Sequence, residues 1–73
     1  MCICDLKIGE KAKIKKINGD IKLAKRLYAL GLIEGTLIEL KRVAPLGDPL
    51  IISLRGFDLA IRKKDAKNII LTA

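Results

Sequence analysis

Apolar and basic residues alternate near the start of the chain, and this alternation predicts a half-buried β-strand. Residues 12–17 run Ala-Lys-Ile-Lys-Lys-Ile, so an extended backbone would turn most of its apolar side chains to one face and its lysines to the other. The Asn-Gly pair at positions 18 and 19 is typical of a turn, and we expect it to end this strand.

The next segment has the spacing of an amphipathic helix. Leu23, Leu27 and Leu30 recur at i, i+4 and i+7, with basic side chains on the opposite side, which predicts one helix over residues 21–30. Asp20 precedes the first turn, where its side chain would act as a cap. Gly31 follows the last turn, where a glycine accepts the left-handed conformation. We expect Leu27 and Leu30 to belong to the core, and the three leucines together to plug one end of the barrel.

Short apolar segments between turn residues predict four more strands. They cover residues 36–43, 50–54, 57–61 and 68–72. The Arg55-Gly56 pair predicts a two-residue hairpin turn, and residues 63–67 predict one helical turn. Five short strands with close turns in 73 residues are typical of a small closed barrel. The sequence therefore predicts a mainly β fold in one domain, residues 1–73, whose helix is inserted between strands 1 and 2 and plugs one end of the barrel.

The composition argues against catalysis. The chain has no His, and its eight Asp and Glu residues are scattered over predicted turns and exposed faces. Ser53 and Thr72 fall inside predicted strands with no base within reach in the sequence, and although a Ser-Lys pair stays open, no feature marks one. No glycine-rich phosphate-binding motif occurs. We therefore expect a protein that is not an enzyme and that needs no cofactor.

Two cysteines near the N-terminus are weak candidates for a metal site. Cys2 and Cys4 supply two thiolates, whereas zinc and iron sites use three or four protein ligands. One chain is therefore expected not to build a closed site, although a transition metal held between two chains would find enough thiolates. The alternative is that the pair begins a first strand or arm, with one thiol buried as a small apolar group.

No segment of the sequence predicts a membrane span. The longest charge-free stretches, residues 27–33 and 49–54, fall far short of the ~20 apolar residues that cross a bilayer. The N-terminus lacks the basic and apolar regions of a signal peptide. We expect a cytoplasmic protein that does not insert into the membrane.

The net charge of +7 points to an acidic partner. Proteins that bind single-stranded nucleic acid stack bases on aromatic side chains, but the only aromatic residues, Tyr28 and Phe57, fit core positions. Nucleic acid is therefore the less favoured partner. The lysines either solvate the surface of a small domain or dock on an acidic protein surface, and the sequence leaves both possibilities open.

Three segments carry ordered motifs. Residues 26–35 run Arg-Leu-Tyr-Ala-Leu-Gly-Leu-Ile-Glu-Gly, residues 42–49 run Arg-Val-Ala-Pro-Leu-Gly-Asp-Pro, and residues 59–66 run Leu-Ala-Ile-Arg-Lys-Lys-Asp-Ala. They resemble the R-L-x-x-L-G-[LM]-x-x-G, R-x-A-P-[LF]-G-D-P and [IL]-[AS]-[LI]-R-[KR]-x-[ED]-A patterns of the FeoA family, and residues 6–9 resemble its opening L-x-x-G. Order and spacing agree across essentially the whole chain.

The resemblance implies an SH3-like five-stranded barrel and a regulatory or assembly role in ferrous iron transport. The implied partner is the FeoB membrane permease, whose cytosolic end carries a GTPase domain, so the protein would lie in the cytoplasm or peripherally at the inner face of the membrane. The Cys-x-Cys start departs from many members and keeps metal binding open. Two alternatives remain: a metal-linked regulatory domain, like the barrel at the C-termini of some iron-dependent repressors, and a nucleic-acid-binding barrel.

The loop over residues 44–49 is the predicted docking site. Two prolines stiffen it, and binding residues concentrate on loops that a scaffold holds. The alternative is a well-shaped turn with no partner. Arg42 would pair with a carboxylate of the partner, or else would be tied to Asp48 or to a loop carbonyl. The candidate partner-binding residues are Arg42, Ala44, Pro45, Leu46, Gly47, Asp48 and Pro49.

Overall fold

Five strands form one antiparallel sheet in the computed structural model, which describes residues 1–72. The strands are β1 (Lys11–Ile17), β2 (Leu37–Val43), β3 (Leu50–Leu54), β4 (Phe57–Ile61) and β5 (Ile69–Leu71). The helical elements are α1 (Ile21–Ala29) between β1 and β2, α2 (Lys63–Ala66) between β4 and β5, and a 3₁₀ turn (Ile3–Asp5) before β1. The predicted mainly β class, with a helix between the first two strands, is confirmed.

The strand order in the sheet is β4-β3-β2-β1-β5. Within residues 1–72 no ladder joins β4 to β5, so the sheet keeps two edge strands, in contrast to the full closure expected from the turn spacing. The other side of β5 is occupied by the N-terminal segment, because Cys2 forms a bridge with Ile70. Irregular register between Ile14 and Lys16 in β1, and between Leu40 and Arg42 in β2, bends the sheet around its inner face.

The core lies on the inner face of this bent sheet, with α1 and the 3₁₀ turn contributing to it. Strand β3 shows the alternation most clearly, because Leu50, Ile52 and Leu54 are buried while the residues between them are half-buried. The largest fully buried side chains are Ile3, Ile14, Leu27, Leu32, Ile38, Ile52, Leu54 and Ile69. Branched aliphatic side chains therefore fill the core, without aromatic residues.

Helix α1 begins and ends close to the predicted residues. The carboxylate of Asp20 accepts a hydrogen bond from the backbone N–H of Leu23 at 2.8 Å, which confirms the predicted cap. Gly31 adopts a φ of +94°, and beyond it the N–H of Leu32 bonds to the carbonyl of Leu27 at 3.0 Å. This turn brings Leu32 back beneath the helix, where it is fully buried.

One leucine of the predicted helix stripe lies outside the core. Leu27 is 1% exposed, as predicted, but Leu30 is 39% exposed, so its assignment to the core is wrong. Leu30 is the C-cap of α1 rather than a residue within it. The core space beneath the end of the helix is taken by Leu32, two residues further along.

The two aromatic residues are also more exposed than predicted. Tyr28 is 43% exposed and Phe57 is 48% exposed, so their assignment to core positions is wrong. Tyr28 follows the buried Leu27 and is therefore turned about 100° away from it around the helix. Phe57 pairs with Leu54 beside the Arg55-Gly56 turn, on a strand that has a neighbour on one side only.

Candidate functional site

The predicted docking loop, residues 44–49, is a tight turn held at its base by backbone hydrogen bonds. The N–H of Ala44 bonds to the carbonyl of Pro49 at 3.1 Å, and the N–H of Gly47 bonds to the carbonyl of Ala44 at 2.7 Å. Gly47 has a φ of +86°, which favours glycine at this position. The loop is thus an ordered continuation of the β2–β3 hairpin.

Leu46 is the tip of the docking loop and is 96% exposed. Pro45 beside it is exposed, whereas Ala44, Gly47 and Pro49 are half-buried at the base. An isolated exposed leucine is ordinary on a protein surface, but this one is held outward by a short hydrogen-bonded turn. The arrangement presents an apolar side chain whose backbone is already ordered.

Asp48 joins the docking loop to the start of α2. Its carboxylate accepts a hydrogen bond from the backbone N–H of Lys63 at 3.0 Å, which satisfies one of the free donors at a helix N-terminus. The guanidinium of Arg42 makes no hydrogen bond or salt bridge within residues 1–72, so the structure gives no pairing of Arg42 with Asp48. Of the predicted docking residues, Asp48 therefore fixes the loop, and Arg42 stands exposed beside it.

The structure also brings together basic residues that are far apart in the sequence. Arg26 on α1 forms a salt bridge with Asp65 on α2, with 3.0 Å between Nη2 and Oδ2. Between α1 and β4 lies a groove of about 360 Å³, which we call the basic groove. It is lined by Arg26, Leu27, Leu30, Ala60, Ile61, Arg62, Lys64 and Asp65. Sequence reasoning missed this groove, although Arg26 and Asp65 both lie in the recognised motifs.

Cys2 and Cys4 flank the start of the 3₁₀ turn instead of beginning a regular strand. Both are half-buried free thiols, and Cys2 forms an isolated β-bridge with Ile70. The thiol of Cys4 lies 3.7 Å from the carbonyl oxygen of Lys63. Burial, followed by the neighbouring Cys2, raises the pKa of Cys4, which favours the thiol over the metal-binding thiolate.

The carboxylate of Asp5, near the two thiols, already accepts a backbone hydrogen bond. Asp5 accepts a hydrogen bond from the backbone N–H of Cys2 at 2.9 Å, and this bond lowers the pKa of Asp5. Within the described residues, 1–72, no three His, Cys, Asp or Glu side chains come together in a way that could hold a metal ion. The weak thiol candidates thus stay a two-ligand set in one chain, and a site between chains stays a prediction.

Across residues 1–72, no helix has both the length and the apolar character needed to cross a membrane.

The sequence model of the FeoA domain matches residues 1–73. The chain belongs to the FeoA family. The resemblance noted in the three sequence motifs is therefore confirmed, and it extends over the whole chain.

Relatives of known structure share the fold of this FeoA chain. The solution structure of iron(II) transport protein A from Clostridium thermocellum is 32% identical, with a TM-score of 0.94 over 100% of this chain and 45% of that one. The crystal structure of Stenotrophomonas maltophilia FeoA, described as a procaryotic SH3 domain protein, is 22% identical, with a TM-score of 0.84 over 99% of this chain and 89% of that one. The predicted SH3-like fold is confirmed.

A curated relative contains a FeoA domain within a much longer protein. The Fe(2+) transport protein A/Fe(2+) transporter FeoB fusion protein of Porphyromonas gingivalis is 29% identical over 69 residues. The match covers 94% of this FeoA chain but only 8% of the fusion protein.

Proposed function

We propose that this protein is a non-enzymatic cytoplasmic accessory protein of ferrous iron uptake, which docks on a FeoB-type permease through the loop over residues 44–49. The observation that carries the proposal is Leu46, 96% exposed at the tip of a loop whose backbone is fixed by its own hydrogen bonds. A preordered loop loses little conformational freedom when it binds, so more of its contact energy becomes affinity.

The fusion protein of Porphyromonas gingivalis supports the choice of partner. It joins a FeoA domain to FeoB in one chain. Such linkage keeps two modules at a high effective concentration, which favours even a weak contact between them. Any contact of a FeoA domain with FeoB has to come from the surface of the domain, and the exposed loop offers such a surface.

The contribution of each candidate residue to the binding free energy can be estimated from its exposure and charge. Full burial of the Leu46 side chain in a partner pocket would contribute about 1.5–3 kcal/mol, or roughly a ten- to hundredfold change in Kd. The guanidinium of Arg42 is unpaired within residues 1–72 and would pair with a carboxylate of the partner. The net charge of +7 would accelerate encounter with an acidic surface more than it would strengthen the final complex.

A non-enzymatic role is supported by the side chains available. The chain has no His. Within residues 1–72, the hydroxyls of Thr36 and Thr72 donate to the backbone carbonyls of Gly31 and Lys13, and no hydroxyl is bonded to a lysine side-chain amine or to a carboxylate. Activation of a nucleophile requires such a base, so docking explains the exposed groups better than catalysis does.

The experiment is a binding measurement on the permease in nanodiscs and on its isolated soluble domain. Leu46→Asp is compared with Leu37→Asp, because Leu37 is 51% exposed but lies at the other end of β2, roughly 20 Å away at about 3.3 Å per residue. Arg42→Ala tests the charged contact. Circular dichroism checks that each variant folds.

The proposal predicts at least about tenfold weaker binding for Leu46→Asp, and parent-like binding for Leu37→Asp. Arg42→Ala should bind more weakly and lose part of the dependence on salt. If Leu46→Asp and Arg42→Ala both fold and bind like the parent, the docking loop is not the interface.

A further inference from the structure

The two edges of the sheet differ in whether other backbone covers them. At the β5 edge, the N–H of Leu71 bonds to the carbonyl of Met1 at 2.7 Å, and Cys2 forms a bridge with Ile70. The N-terminal segment thus covers that edge. At the other edge, β4 pairs with β3 only, and within residues 1–72 no further backbone hydrogen bond reaches residues 57–61. The outer N–H and C=O groups of β4 are therefore left without partners in the described part of the chain.

The basic groove meets this edge strand at its C-terminal end, where Ala60 and Ile61 line it. Its walls come from α1, from the end of β4 and from α2, and its volume is about 360 Å³. Leu30, which is 39% exposed, and Ala60 give the groove an apolar surface. Leu30, whose exposure the helix spacing did not predict, is thus part of the lining of a concave surface.

Positive charge dominates the rim of the groove. Arg26 is paired with Asp65, whose side chain is only 17% exposed. Arg62 and Lys64 are exposed and have no salt-bridge partner within residues 1–72. The one acidic residue of β4, Asp58, pairs across the sheet with Ser53 and does not line the groove.

We propose that the β4 edge and the basic groove together bind an extended acidic segment of a partner protein by strand addition. The main chain of such a segment would bond to the free groups of β4. Ala60 and Arg62 lie two residues apart in extended backbone and therefore share one face of the sheet. Side chains alternate across an added strand, so the carboxylates of one set would reach Arg62 and Lys64 while the apolar set would lie on the other face, beside Ile61 and Leu30. The proposal concerns a surface apart from the docking loop and does not depend on the identity of the permease.

Two other roles are possible for the basic residues beside β4, and each predicts different binding. Basic residues near an edge strand can simply prevent pairing with further chains, in which case acidic peptides would not bind. Nucleic acid would also be attracted by the charge, but no aromatic side chain of residues 1–72 lines the groove for base stacking.

The test is an NMR titration of the ¹⁵N-labelled protein with a capped heptapeptide of alternating Glu and Val. Matched probes are the same peptide with Lys in place of Glu, an oligothymidine, and the Glu-Val peptide N-methylated at every residue. The last keeps the charge but lacks the main-chain donors needed for strand addition. Hydrogen exchange of the amides in β4 is followed in parallel.

The proposal predicts shifts and slower exchange within residues 57–62 for the Glu-Val peptide alone, with binding weakened at least about tenfold by N-methylation. The double variant Arg62→Ser/Lys64→Ser should lose a similar factor. The control Lys22→Ser/Lys25→Ser removes the same charge from exposed positions of α1 that do not line the groove, and it should bind like the parent. Absence of binding at millimolar Glu-Val peptide, equal binding of the N-methylated peptide, or binding of oligothymidine alone at these residues would each overturn the proposal.

Discussion

Replacing Leu27 by Ala removes a side chain that is 1% exposed and that lies on the core face of the only long helix within residues 1–72. Such a change loses the burial of the side chain and leaves a cavity, which together cost about 2–5 kcal/mol. A domain of 73 residues has a total stability of about 4–10 kcal/mol. The variant should therefore lose a large part of its free energy of unfolding.

The matched control is Leu30→Ala, since the same chemical change is made three residues further along at a side chain that is 39% exposed. Its cost should be about 1 kcal/mol or less, because part of the side chain already contacts water. Comparison of the two variants thus shows whether the loss of stability comes from burial of Leu27 or from any leucine-to-alanine change near the end of α1.

Thermal unfolding followed by circular dichroism, together with urea titration, measures both effects. Each 1 kcal/mol shifts Tm by about 4–8 °C in a domain of this size. Leu27→Ala should lower Tm by at least about 10 °C, and Leu30→Ala by less than about 8 °C. Equal shifts for the two variants, or a larger shift for Leu30→Ala, would refute the assignment of the helix face.

Three further predictions concern individual side chains. Asp20→Ala should cost about 0.5–2 kcal/mol in urea unfolding, because the bond to the N–H of Leu23 is lost; an unchanged midpoint would contradict the cap. The pKa of Asp5 is lowered in the folded state, so its carboxylate stabilises the fold above the unfolded pKa. This stabilisation is lost as the pH falls through the folded pKa. Asp5→Asn should therefore reduce the loss of stability at acid pH, measured by urea unfolding across a pH series. Anaerobic titration with Fe²⁺ should show no sub-micromolar site on a monomer; a one-to-one site at that affinity, retained when Cys2 and Cys4 are both changed to Ser, would contradict the ligand argument.

The sequence predicted the secondary structure well because each signal is local. Alternation in β1, the leucine spacing in α1 and the Arg55-Gly56 turn depend on residues a few positions apart. The positive φ of Arg55 and of Gly56, 49° and 87°, fits the predicted two-residue hairpin. The recognised motifs extended these local signals to the fold of the family.

The wrong burial predictions concern side chains at or near the ends of helices and strands, where a local spacing pattern no longer decides which side chain is buried. Leu30 continues the leucine spacing of α1, but the helix ends one residue earlier and Leu32 takes the space in the core. Tyr28 and Phe57 likewise fit core positions of the predicted elements, but they are 43% and 48% exposed. In this structure, aliphatic side chains fill the small core without them.

The candidate surfaces were only partly predictable. The docking loop is a continuous segment, so its prolines and Gly47 pointed to an ordered turn. The basic groove joins Arg26 on α1 to Arg62 and Lys64 near β4, and this meeting depends on long-range packing. The open edge of β4 depends on the strand order and on the covering of β5 by the N-terminal segment, neither of which follows from local pattern.

Site-specific photo-crosslinking tests the docking of this FeoA chain on a FeoB-type permease most directly. A benzophenone amino acid is placed at position 46 or, as the control, at position 37, and each protein is irradiated with the permease in native membranes. The account predicts a crosslink to the permease from position 46 and none from position 37. A crosslink from position 37 with none from position 46, or no crosslink from either, would contradict it.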